Sequence, residues 1–223
     1  MSTIARPSPP PVPDFDKPLP RGLRMSEEEF VAWYTFPEGK AEWSDGEVFL
    51  MAPISDEHDV LQWWLRSLLT LFAKRKDLGE VRGPQFVARL TFPRGRRRAV
   101  ARREPDIFFV SKKRLPLLHK NHFEGAPDLV IEIVSPDDPG RDYRVKYREY
   151  EAAGVREYWV VDPLTDTLEV HSLDSNGAFK PLAQGADGRW TSRVVTGWYL
   201  KPDWLWERPR IDVLEALAEL GVR

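Results

Sequence analysis

The sequence contains no cysteine. That absence excludes disulfides, thiolate nucleophiles, thiolate zinc sites and iron–sulfur clusters, and it fits the expected cytoplasmic location. No apolar run approaches about 18 residues, so no membrane-spanning helix is expected. The first residues carry no apolar segment of the secretory kind, which predicts no export signal. No internal repeat, helix-turn-helix or zinc module is visible. The net charge is only −2, so there is no global attraction to nucleic acid. What remains is a 223-residue chain with 42% hydrophobic and 30% charged residues, enough for one folded domain with a real core.

Charge and proline are unevenly spread. Arg94, Arg96, Arg97, Arg98, Arg102 and Arg103 fall within ten positions; setting them aside leaves 27 basic against 35 acidic side chains, a balance of −8. The run reads either as a solvated hairpin tip or as a phosphate contact. Residues 1–25 are expected to form a proline-rich extended arm, since Pro7, Pro9, Pro10, Pro11, Pro13, Pro18 and Pro20 favour polyproline II. A folded domain is expected over 26–208, with a short C-terminal helix over 209–223.

Ser26-Glu27-Glu28-Glu29 reads as a capping box opening a short helix. Ala41–Ser44 and Glu47–Met51 flank Asp45-Gly46, a strong hairpin signal. From Ser55 to Lys76, Leu61, Trp64, Leu65, Leu68, Leu69 and Phe72 recur at helical spacing, and His58 extends that stripe. Strands are predicted over Val81–Phe92, Glu104–Val110 and Asp128–Ser135. A second helix over Arg141–Ala153 is closed by Gly154. A fourth strand spans Glu157–Asp162, and a hairpin follows over Leu168–Ser172 and Phe179–Ala183. The segment Leu115–Glu124 is loop or short helix. Strand, helix, strand over 128–162 favours a parallel pair with a crossover, so the fold class is α/β with a mixed central sheet.

Three charged residues keep apolar or aromatic company. Asp106 lies in Glu-Pro-Asp-Ile-Phe-Phe-Val, Glu132 in Leu-Val-Ile-Glu-Ile-Val, and Lys146 among Tyr143, Tyr147 and Tyr150. An unpaired buried ion costs on the order of several kcal/mol, so each is either paired or kept for chemistry. Two carboxylates on neighbouring strands suit a hard cation, because Mg²⁺ takes one or two carboxylates plus waters and phosphate oxygens. Lys146 reads either as a lysine paired with Asp142 at i,i+4 or as the group that supports charge on a reacting phosphate. His58 is a core histidine or a site residue. Glu42 and Glu47 beside the turn read first as solvated, and Glu104 as exposed.

The run Pro127-Asp-Leu-Val-Ile-Glu-Ile-Val-Ser-Pro136, then Arg141-Asp142 with Lys146-Tyr147, then Ala153-Gly-Val-Arg-Glu-Tyr-Trp-Val-Val-Asp-Pro163 resembles a bacterial restriction endonuclease family of the PD-(D/E)XK nuclease superfamily. Asp45-Gly46-Glu47, Pro53–His58 and Glu104-Pro-Asp106 fit the same pattern, and the resemblance covers roughly residues 26–206. It implies a core of helix, three strands, helix and strand, with added hairpins. It also implies Mg²⁺-dependent hydrolysis of DNA phosphodiesters. Mn²⁺ is an alternative cation, and the proline arm and the Trp-rich tail suit a homodimer interface as well as a core edge, so a homodimer is expected. Asp106 and Glu132 match the acidic metal-binding positions. The superfamily lysine usually follows the second acid by two residues, where Val134 stands here, and the resemblance moves it to Lys146. His58 and Glu47 fall on further matched positions.

The expected activity is therefore that of a metal-dependent endonuclease. Asp106 and Glu132 bind Mg²⁺, Lys146 assists, and Arg96, Arg97, Arg98 and Arg102 hold the DNA backbone. Two alternatives stay open. One is a catalytically weak or inactive DNA-binding or assembly protein on a nuclease fold. The other has Glu132 merely ion-paired with Lys146.

Overall fold

The computed structural model describes residues 22–34, 40–136, 138 and 140–222; of the proline-rich arm expected over residues 1–25, all but residues 22–25 lies outside them. Helix α1 (Glu27–Trp33) is opened by Ser26, whose hydroxyl accepts from Glu29 N while the Glu29 carboxylate accepts from Ser26 N. This is the reciprocal cap that Ser-x-x-Glu favours. Strands β1 (Lys40–Ser44) and β2 (Glu47–Met51) turn at Asp45-Gly46, both at positive φ, as a two-residue hairpin needs. Helix α2 (Asp56–Arg75) is capped by Ser55, which accepts from His58 N.

Strands β3 (Gly79–Arg82), β4 (Val87–Arg94), β5 (Arg97–Arg103), β6 (Ile107–Ser111), β7 (His122–Glu124) and β8 (Leu129–Ile133) follow. Two of them correct the sequence reading. The single strand expected over Val81–Phe92 is two strands in different sheets, broken at Gly83-Pro84. The strand expected from Glu104 starts at Ile107, after Pro105. In both places proline removes the N–H that a continuous ladder requires. Between β6 and β7 a 3₁₀ turn covers Lys112–Leu117.

A turn of π-helix over Arg141–Lys146 runs into α3 (Tyr147–Ala153), which ends at Gly154 with φ +88°. Then come β9 (Glu157–Asp162), β10 (Thr167–Leu173), β11 (Phe179–Pro181), β12 (Trp190–Thr191), β13 (Tyr199–Leu200), α4 (Pro202–Trp206) and α5 (Val213–Glu219).

Among the described residues the central sheet has six strands in the order β11-β10-β9-β8-β6-β3, and a second has five in the order β2-β1-β5-β4-β7. Strands β8 and β9 are parallel and joined through α3, as the crossover argument requires. Both are buried along their whole length. One face of the central sheet, with Ile107, Phe109, Ile131 and Trp159, packs on α2 and the C-terminal elements. The other face, with Phe108, Val130, Tyr158 and Val160, packs on Tyr150 of α3 and on Ala88 and Leu90 of the second sheet. Helix α5 lies against α2, and Trp64 Nε1 donates to Ile211 O at 2.8 Å. The order α2, β3, β6, β8, α3, β9 is helix, three strands, helix, strand: an α/β restriction-endonuclease-like core. The linker Glu104-Pro105-Asp106 carries the chain from the second sheet into this core.

Candidate active site

Asp106 occupies that linker rather than a strand, and its carboxylate is held from two sides. Gln62 Nε2 donates to Oδ1 at 2.8 Å and Ile133 N donates to Oδ2 at 2.9 Å. His58 Nε2 stands 3.3 Å from Oδ2 and 3.1 Å from Ile133 O. Lys40 Nζ lies 3.7 Å from Oδ1. Glu132 is fully buried in β8. Its Oε2 is 3.0 Å from Lys146 Nζ and 3.3 Å from Asp106 N, which donates to it, and its Oε1 accepts from the Tyr150 hydroxyl at 2.5 Å. Lys146 also meets Asp142 at 2.8 Å. The i,i+4 pairing and the reach to Glu132 thus hold together.

Behind this group lies a buried ion network. Glu42 shares one face of β1 with Lys40 and Ser44, while Ala41 and Trp43 face Phe30 in a separate cluster, as strand alternation dictates. Glu42 accepts from Arg103 at 3.1 Å, Arg141 at 2.5 Å and the Glu104 amide at 2.8 Å. Arg103 Nε donates to Glu149 at 2.7 Å, and Ser44 donates to the same carboxylate. The expectation that Glu42 is solvated is therefore wrong. Two arginines, one from β5 and one from the π-turn, make its burial tolerable. Glu104, expected to be exposed, is 1% exposed. It lies beside Tyr34, with neither oxygen in a formed hydrogen bond among the described residues.

The electrostatics follow from this packing. Burial pushes Glu132 up to about 7, with Lys146 opposing and the Asp106 and Asp142 charges adding to burial. Burial would also raise Asp106, but Lys40, His58 and Lys146 outweigh it and hold its carboxyl well below the usual range. Burial alone would lower Lys146; Asp142 and Glu132 carry it well above an ordinary lysine. His58 is likewise shifted up, because the Asp106 carboxylate outweighs desolvation.

Glu42 sets a pH dependence. Desolvation would raise its pKa, but Arg141, Lys146 and Arg103 hold it far below the ordinary 4.5. A depressed folded-state pKa adds stability above the unfolded value and loses it as pH falls, because the unfolded chain takes up the proton first. Urea midpoints should therefore fall more steeply for the wild type than for Glu42→Gln between about pH 5 and pH 3. Parallel acid limbs in the two proteins would contradict this.

The other expected site residues separate. Glu47 sits half-buried at the turn end of the hairpin, opposite Ser44, and none of the contacts described above involves it. Arg97 is committed to Asp45 at 2.5 Å, together with Arg94 at 2.6 Å. Arg102 is drawn in to Glu27 at 3.1 Å. Arg96 and Arg98 are exposed at the β4–β5 tip. Sequence reasoning missed Lys40, Gln62, Arg103 and Arg141. Gln62 had a usable signal, since it stands one helical turn after His58 on the buried stripe.

The donor set suits Mg²⁺. Asp106 Oδ2 and Ile133 O already converge on His58 Nε2, at 3.3 and 3.1 Å, and Glu132 is tied to the Asp106 amide. Among the described residues no three His, Asp or Glu side chains form a metal cluster, but two carboxylates and a carbonyl match an ion that retains several waters.

Fold and site together define an α/β domain of the restriction endonuclease type. A family model described as "Uma2: Putative restriction endonuclease" matches residues 27–203, and the chain belongs to this family. A solved structure is also similar: a "putative nuclease belonging to DUF820" from Anabaena variabilis ATCC 29413. It matches with a TM-score of 0.61 at 18% identity, over 86% of this chain and 97% of that one. Comparison with curated proteins gives no match.

Proposed function

We propose that this protein is a Mg²⁺-dependent endonuclease that hydrolyses DNA phosphodiester bonds. The observation that carries the reading is the position of Lys146. Although it comes from a helix, its ammonium stands 3.0 Å from Glu132, beside the carboxylate that a strand-borne lysine at position 134 would have served. Asp106, Glu132 and the Ile133 carbonyl would hold the cation. When bound, Mg²⁺ polarises the phosphoryl group and lowers the pKa of a water.

The chain's own groups do the rest. Gln62 and the Ile133 amide fix the Asp106 carboxylate, and Tyr150 and Lys146 fix that of Glu132. Such preorganised charge costs no rearrangement as the transition state forms. Lys146 supplies positive charge where negative charge develops on the phosphate. Arg96 and Arg98 offer backbone contacts, and such contacts position DNA without reading its sequence.

Supercoiled plasmid incubated with Mg²⁺ should convert to nicked circles, and EDTA should stop it. A second reading, a DNA-binding or assembly protein on a nuclease fold, is favoured by one observation. Lys146 and Asp106 are already engaged by internal partners. If neither Mg²⁺ nor Mn²⁺ elicits cleavage of plasmid, linear duplex or single-stranded DNA, that second reading replaces the first.

A further inference from the structure

We infer that Lys40, the first residue of β1, is a phosphate-binding residue of this site, donating to a non-bridging oxygen of the scissile phosphodiester. The inference rests on the endonuclease reading and adds a residue to it.

Access is the first argument. The side chains of His58, Asp106, Glu132, Asp142 and Lys146 are 0–7% exposed, whereas that of Lys40 is 22% exposed. An incoming phosphate therefore meets Lys40 before the buried groups. Bonding is the second. Lys146 spends its ammonium on Glu132 and Asp142, at 3.0 and 2.8 Å. Lys40 stands 3.7 Å from Asp106, an ion-pair distance beyond hydrogen-bond length. Among the described residues it donates no hydrogen bond, so its N–H groups remain for a ligand.

Placement is the third argument. Lys40 lies on a strand, opposite Met51 in the β1–β2 ladder, and sites on strands are held more precisely than sites on loops. Its charge is felt by Glu42, Glu104 and Asp106 together. A compact ammonium on a flexible stem suits a phosphate oxygen as a point charge. The two lysines thus act from different depths: Lys146 orders Glu132 and adds its charge from the buried side, and the more exposed Lys40 is the one that meets the phosphate oxygen directly.

The test uses the full chain and a fluorescently labelled 20-mer duplex, with Ca²⁺ for binding by anisotropy and Mg²⁺ for single-turnover nicking. The variants are Lys40→Ala, Lys40→Gln and Lys40→Arg, with Lys180→Ala as an equal change of charge on the distant strand β11. Lys40→Ala and Lys40→Gln should each weaken binding or slow nicking by about 10- to 100-fold, the range of a lost charge-assisted hydrogen bond. Lys40→Arg should recover most of that loss, and Lys180→Ala should show none of it. Thermal melts decide which variants are folded, and the glutamine variant serves if alanine is not.

Lys40→Ala or Lys40→Gln behaving as wild type in both assays would overturn the inference, as would Lys180→Ala matching them. If wild-type protein nicks no DNA with any cation, the endonuclease reading falls by itself. The anisotropy comparison of the Lys40 variants with Lys180→Ala then still decides whether Lys40 binds phosphate.

Discussion

Asp106→Asn is expected to lower Mg²⁺-dependent nicking by about 10³-fold while the protein stays folded. Asparagine has the same shape, and its amide oxygen can still accept from Gln62 or from the Ile133 amide. What it loses is the negative charge that faces Lys40 and His58 and that the proposed Mg²⁺ would require. Lys146→Met should produce a loss of similar size by a different route. It removes the ammonium between Glu132 and Asp142 and leaves two carboxylates facing each other. Because burial already pushes Glu132 up to about 7, taking up a proton there costs little near neutral pH, and the variant should fold. Plasmid nicking under single-turnover conditions, with a thermal melt of each protein, provides the check. Wild-type rates in Asp106→Asn would remove that residue from the chemistry.

The largest stability effect is expected away from the acidic pair. Arg103→Met should cost about 3–5 kcal/mol, the usual price of leaving one partner of a buried ion pair uncompensated. Arg103 is fully buried and bridges Glu42 to Glu149. Its removal leaves Glu42 with Arg141 and the Glu104 amide, and Glu149 with Ser44. Lys112→Met is the contrast, because Lys112 and its partner Asp77 are 53% and 78% exposed. Exposed pairs contribute roughly 0–1 kcal/mol, so urea denaturation should separate the two variants clearly. A loss below about 1 kcal/mol in Arg103→Met would show that the network contributes specificity rather than stability.

Much of this arrangement was legible in the residues. The stripe from Leu61 to Phe72 and the Gly154 stop located both core helices, and the apolar run around Glu132 identified a strand covered on two faces. Asp106, Glu132 and Lys146 stood out because each is a charge in apolar or aromatic surroundings. The second sheet was not legible. Nothing local distinguishes β4 from a continuation of β3 except Gly83-Pro84, and the second partner of β1, strand β5, lies some sixty residues away. For the same reason Glu42 looked like a hairpin residue in solvent. Its burial depends on Arg103 and Arg141, which only the tertiary fold delivers. Within the arginine run, the partners of Arg97 and Arg102, Asp45 and Glu27, are likewise too far away in sequence to be read locally.

The π-turn at Arg141–Lys146 bears on how the chain tolerates length changes. Relative to an α-helix, such a turn accommodates one surplus residue. Deleting one residue between Arg141 and Lys146 would let the segment relax to ordinary α-helix. Each residue of an α-helix advances by about 100°. Lys146 would then rotate away from Glu132 while α3, Gly154 and β9 kept their sequence. Register in this short segment, more than the identity of any one residue in it, aligns a helix-borne amine with a strand-borne carboxylate.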